Sequence, residues 1–170
     1  MEDVHVDARV AYLLTLTDKA LNKIEDYEWY PLVREAIDIC WEWIEEKKYS
    51  GEDLYEILDN EDEDGLIYIE GVAYGENPYG PQARLVWSCV VDAVCYTAWK
   101  AYQHENETSM PQPIGMVSDK YIDDEFMGKI KKIEGYQESL AEHLKQVLLE
   151  HYSLASSDKK IKRSEILSRI

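Results

Sequence analysis

ARLVWSCVVDAVCYTAWKAY, residues 83–102, is the stretch whose reading decides the fold. Only Arg84, Asp92 and Lys100 carry charge in it. Two helical stripes overlap: Val86, Val90, Ala93, Val94 and Ala101 on one side, and Leu85, Cys89, Tyr96, Trp99 and Tyr102 on the other. A helix that is apolar nearly all round either crosses a membrane or lies at the centre of a bundle. Its uncharged run, Leu85–Val91, is far shorter than the ~20 apolar residues a span needs, and Asp92 sits mid-segment. The segment therefore reads as a buried core helix, and no membrane partner is expected.

Outward from that helix, other segments show helical periodicity. Val6 to Ile24 places Val6, Val10, Leu13, Leu14, Leu21 and Ile24 on one face. After an aromatic junction at 27–30, Pro31 opens a second helix running to about Lys48. Its core face is Val33, Ala36, Ile37, Cys40 and Ile44, with Trp41 and Trp43 at the edges. Ser50 and Asp53 make a weak capping box for a short helix with Leu54, Ile57 and Leu58 inside. LIYIEGVAY, 66–74, reads equally as a short helix or a strand, and GENPYGP, 75–81, is a turn. A connection of about 15 residues with Pro111 and Pro113 follows the central helix. Ser118 then caps a helix carrying Ile122, Phe126, Ile130 and Ile133, and Gly135 divides it from a last one with Leu140, Leu144, Val147, Leu148 and Tyr152. The expected fold is all-α, a single-domain bundle of about six helices around 83–102. It should occupy residues 1–155, with 156–170 a basic C-terminal tail that has room for one short helix.

The chain of 170 residues has a formal net charge of −17. Residues 1–117 hold 25 acidic and 8 basic groups, whereas 118–170 hold 10 of each. The acid is densest between Tyr49 and Ala83, where no Lys or Arg occurs. Nucleic acid and anionic membrane are poor partners for such a surface, and a basic protein is its complement. Cys40, Cys89 and Cys95 form no CxxC and no even framework, so they read as small buried hydrophobes in a reducing compartment. MEDVHVDARV lacks the basic and apolar regions of a signal peptide, so a cytoplasmic location is expected.

Motifs that carry chemistry are scarce. The run from Asn60 imitates a calcium loop, with Asn60, Asp62, Asp64 and Gly65 at positions one, three, five and six. Position twelve, which needs a bidentate Glu, is Gly71. An acidic surface loop is the better reading. Asp92 in a core must be paired, hydrogen-bonded, protonated or at the helix edge, and a structural role outweighs a catalytic one. His5, His104, His143 and His151 show no metal spacing. No phosphate loop and no nucleophile motif occurs, so no metal, cofactor or catalytic residue is assigned and no enzymatic activity is expected.

What remains is an acidic surface interleaved with aromatics. Its candidate partner-binding residues are Trp43, Tyr49, Tyr55, Tyr74 and Tyr79 together with Glu52, Asp53, Glu56, Asp59, Glu61, Asp62 and Asp64. Tyr and Trp anchor interfaces, while surrounding charge steers the partner. CWEWIEEKKYSGEDLYEILDNEDEDG (40–65), AVCYTAWKAYQ (93–103) and MPQPIGMV (110–117) resemble the bacterial polymorphic-toxin immunity proteins of the family numbered six. The features that carry this are Trp41, the helix Ser50–Asp59 with its acidic exit, and the Tyr96–Trp99–Tyr102 pattern, within a likeness spanning about 6–152. The resemblance implies a small helical cytoplasmic protein that binds a cognate toxin domain and blocks it without chemistry. An acidic surface suits a basic toxin, nucleases being one such class. Three other readings compete: an acidic DNA mimic acting on a nucleic-acid-binding host factor, a helical enzyme centred on Asp92, and a calcium module.

Overall fold

The computed structural model describes residues 4–60, 62, 64–74, 80–154 and 160–170. Among them the chain is helical, and its one β-type pairing is an isolated bridge between Val4 and Ser153. The order is α1 (Val6–Ala20), a 3-10 turn Leu21–Lys23, α2 (Tyr30–Glu46), α3 (Gly51–Leu58), α4 (Leu66–Tyr74), α5 (Pro81–His104), α6 (Gln112–Gly115), α7 (Asp119–Tyr121), a π-helical turn Ile122–Phe126, α8 (Met127–Ile130), α9 (Glu138–His151) and α10 (Arg163–Leu167).

The central segment extends two residues beyond 83–102 at each end. Gly80 precedes it and Pro81 supplies a preset φ in its first turn. α1, α2, α3, α4 and α8 all pack against α5, and Trp87, Cys89, Val90, Val94 and Ala98 are fully enclosed. Burying each large apolar side chain of this set stabilises the fold by about 1.5–3 kcal/mol. The aromatic junction before α2 joins the same core. Tyr27 stacks on Trp29 at 4.7 Å, and Trp29 meets Trp87 edge-on at 4.1 Å.

One expectation changes and one open alternative is decided. Trp41 and Trp43 are not edge residues but core residues, 2% and 1% exposed. α2 lies against both α1 and α5, so its buried arc is wider than one stripe. Lys47 Nζ covers the Trp43 ring at 3.7 Å and the His104 ring meets it edge-on. The 66–74 segment resolves as a helix. No neighbouring strand among the described residues could satisfy an extended backbone, whereas the helix supplies its own partners. Leu66 is buried, and its carbonyl accepts from Trp87 Nε1 at 3.3 Å.

Capping follows the sequence closely. Ser50 and Asp53 form a complete capping box at the start of α3. Ser118 Oγ accepts from the Tyr121 N–H at the start of α7, and Gly135 takes a φ of 89° between α8 and α9. α2 ends where Lys47 adopts a left-handed φ of 54° and donates its N–H to Trp43 O at 2.9 Å. Gly51 sits where α3 meets α5. A Cβ there would lie 2.6 Å from Tyr102 Cγ, so only glycine allows this approach.

Candidate partner-binding site

The acidic candidates divide by what their side chains already do. Asp53 Oδ2 accepts from the Ser50 N–H and Oγ, each at 2.7 Å, and these bonds hold its carboxyl below the usual carboxylate range. Glu52 Oε2 accepts from Tyr102 Oη at 2.6 Å, joining α3 to α5. Asp59 Oδ2 accepts from Tyr55 Oη at 2.9 Å. Tyr49 Oη donates to Glu42 Oε2 at 3.0 Å, beside Lys48 Nζ at 2.7 Å on the same oxygen. Tyr49 and Tyr55 are half-buried. Trp43 is not a surface anchor, for the packing reason given above. Glu61 and Tyr79 lie outside the described residues, as does the side chain of Tyr74.

The loop after α3 is built around Asn60. Its Oδ1 accepts from the N–H groups of Asp62 and Asp64, at 3.1 and 3.4 Å, and its Nδ2 donates to Asp64 Oδ1 at 2.7 Å and Glu56 O at 3.2 Å. This is the local side-chain-to-backbone bonding that Asn uses to shape turns. Position one of the calcium-like pattern is thus engaged with its own loop. Among the described residues no group of His, Cys, Asp or Glu is arranged to hold a metal ion.

A groove of 390 Å³ runs between α2 and α3 and ends at this loop. Leu32, Ala36 and Ile39 from α2 and Ile57 from α3 give it an apolar floor. Glu35, Asp53, Glu56, Asp62 and Asp64 give it an acidic rim. The exposed carboxylates of Glu35, Glu56 and Asp62 form no ion pair with any described residue. Four candidates from the sequence, Asp53, Glu56, Asp62 and Asp64, therefore come together. The α2 wall was missed, although Leu32, Glu35 and Ile39 recur at helical spacing beside the core stripe. Tyr68 on α4, a few residues after the acidic loop, is half-exposed.

Two further polar clusters lie along α5. Lys129 Nζ donates to Asp92 Oδ2 at 2.6 Å. Burial pushes the Asp92 carboxyl up, and Lys129 only partly offsets this. Lys100, 4% exposed, pairs with Asp119 at 3.1 Å and lies 3.7 Å above the Trp99 ring. Asp119 also holds Arg9 at 3.0 Å and accepts from Tyr96 Oη. This network forms part of the wall of a 470 Å³ pocket between α1 and the π-helical turn. The Cys40 thiol is pushed up to about 12 by burial, against a hydrogen bond with Thr97, which makes it an inert packing group. No helix among the described residues is long and apolar enough to cross a membrane.

A protein-family model, Immunity protein Imm6, matches residues 8–133. No curated protein and no solved structure matches the chain.

Proposed function

The chain belongs to the Immunity protein Imm6 family, and from that premise we propose that it neutralises a cognate basic toxin domain in the cytoplasm by binding it. The observation that carries this reading is the α2–α3 groove, where an apolar floor is rimmed by five carboxylates. A Lys or Arg of the partner lays its aliphatic stem on Leu32, Ile39 and Ile57 and brings its charge to Glu35, Glu56 and Asp62. Unpaired carboxylates gathered in one groove repel one another, and an incoming cation relieves that repulsion. The same field steers a basic partner before contact. Tyr68 stands as an exposed anchor beyond the acidic loop. A nuclease is the toxin class that suits this surface best, because its own nucleic-acid site is basic.

Inhibition by binding needs no reacting group on this chain. The test is a growth assay in which the C-terminal domain of the neighbouring reading frame is expressed with and without this protein. Expression of the neighbour alone should kill, and co-expression should restore viability. Glu35→Lys with Glu56→Lys should abolish protection by a folded protein. A harmless neighbour, or killing that co-expression leaves unchanged, would overturn the immunity reading. Full protection by the double variant would overturn the groove alone.

A further inference from the structure

We propose that Asp18, Asp38, Trp41 and Glu45 form a guanidinium-binding site for arginine-bearing basic peptides, and that Arg163 fills it in cis. The site is built on α1 and the side of α2 that bears Arg34, Asp38, Trp41 and Glu45. Asp18, with a side chain 9% exposed, is fixed by Trp41 Nε1, which donates to its Oδ2 at 3.2 Å. Arg34 ties the two aspartates together, donating to Asp18 Oδ1 and, from Nη2, to Asp38 Oδ1 at 2.8 Å.

Arg163 then engages this frame with both ends of its fork. Nη2 donates to Asp18 Oδ2 at 3.0 Å and Oδ1 at 3.2 Å, and Nη1 donates to Asp38 Oδ1 at 2.6 Å. Its guanidinium carbon lies 5.7 Å from the Trp41 ring centre. Its backbone N–H donates to Glu45 Oε1 at 2.7 Å. Planar two-point recognition of carboxylates over an aromatic ring is what distinguishes an arginine site from a general cation site.

Charge and anchorage both point to a replaceable occupant. Asp18, Asp38 and Glu45 outnumber Arg34, the one cation besides Arg163 that pairs with these carboxylates among the described residues, so with Arg163 removed these groups sum to a double negative charge. The segment 160–170 bears Lys160, Lys162, Arg163 and Arg169 against Glu165, so it is a basic peptide by composition. Two well-buried apolar side chains, Ile161 and Ile166, hold it, with Ile170 partly buried. Its contacts to His143 and His151 are exposed, that of Glu165 to Tyr152 is half-buried, and its helix α10 has five residues. Anchorage that is largely at the surface places it at the low-stability end of the fold, where local opening precedes global unfolding. The receiving residues lie inside the family-matched 8–133, and the occupant lies outside it.

The test uses the full chain, a fluorescent octa-arginine probe at low salt and no toxin. It reads only the change each substitution makes at this site, because the probe also meets the acidic α2–α3 groove, which is the same in every variant compared. Arg163→Ala should bind the probe at least tenfold more tightly than the unmodified protein. Adding Asp18→Asn and Asp38→Asn should remove that gain. In the unmodified protein, the probe should speed amide hydrogen exchange across 160–170 and leave α5 unchanged. Equal affinity with and without Arg163 would overturn the proposal, as would a gain that survives loss of both aspartates. If Arg163→Ala does not fold, the exchange experiment decides alone. Amides of 160–170 that exchange only with α5, probe or no probe, mean a purely structural ion pair.

Discussion

Lys129 Nζ reaches Asp92 Oδ2 at 2.6 Å and so joins α8 to the middle of the central helix, where only 7% of the Asp92 side chain meets solvent. The two ends of this pair are not equivalent. Lys129 is 22% exposed and can turn to water, whereas Asp92 cannot. Breaking a buried pair by removing one partner costs about 3–5 kcal/mol when the remaining charge is trapped. Lys129→Ala should therefore lower stability by about 2 kcal/mol, the figure reduced for the partial solvent access of the pair. Asp92→Asn leaves a lysine that can reach water and should cost about 1 kcal/mol. Urea titrations of both variants measure the asymmetry. If Asp92→Asn instead removes protection in the growth assay while melting normally, Asp92 is functional and not structural.

The sequence revealed the centre of this fold far better than its polar contacts. Residues 83–102 are apolar on every side, and only a central helix buries such a segment, so the architecture followed from one stretch. Ser50, Ser118 and Gly135 were legible because capping and left-handed geometry are local. Trp43 was misplaced because periodicity shows one stripe, while α2 is covered from two directions and buries a wider arc. The segment 66–74 stayed ambiguous because nine residues of β-branched and aromatic character satisfy both periods. Lys100–Asp119, Asp92–Lys129 and Asp18–Arg163 join residues 19 to 145 positions apart, and no spacing rule reaches that far. In the candidate groove, the α3 rim was visible as an acidic run. The α2 wall was hidden because Leu32 and Ile39 look like spare core residues.

Asp119 sets an acid limit on stability. Burial alone would raise its carboxyl, but hydrogen bonds from Tyr96 and Lys100 and the charges of Lys100 and Arg9 outweigh this and hold it below the usual range. A carboxyl lowered in the folded state contributes stability that is fully present above its unfolded value, about pH 4, and is lost as pH falls through the folded value. The melting temperature should accordingly drop as pH falls below about 4, and Asp119→Asn should flatten that drop while lowering the melt at pH 7. An unchanged acid slope in the variant would show that other carboxyls set the limit. Lys100, whose ammonium is pushed down by burial against the pull of Asp119, should remain charged through this acid range.

Gly51 couples α3 to α5 at close range. An added Cβ meets the Tyr102 ring at 2.6 Å, and that ring is tied through its hydroxyl to Glu52 at 2.6 Å, so it cannot swing away without losing the bond. Gly51→Ala should cost about 1–3 kcal/mol, in the range of overpacked sites. In a Tyr102→Leu background the same change should cost less, because the smaller side chain leaves room, and the two losses should be less than additive. Thermal melts of the four proteins close the cycle. Strict additivity would place the strain elsewhere.

Charge reversal in the groove separates steering from folding. Glu35 from α2 and Glu56 from α3 both line the groove, are exposed, and form no ion pair with any described residue. Replacing both with Lys removes no buried contact, so the melting temperature should stay near that of the unmodified protein. Against a basic toxin domain, the four-unit change in local charge should slow association about 10- to 100-fold at low ionic strength. The slowing should shrink as salt rises and the screening length falls below about 8 Å. Glu52→Lys is the internal comparison, since it also reverses an acid on α3 but breaks the Tyr102 bond. It should lower the melt, with a smaller effect on association, because Glu52 does not line the groove. Stopped-flow binding across a salt series reads both quantities. Equal slowing by Glu52→Lys and by the Glu35/Glu56 pair, residue for residue, would mean that the partner feels only the overall charge of the face and not the groove between α2 and α3.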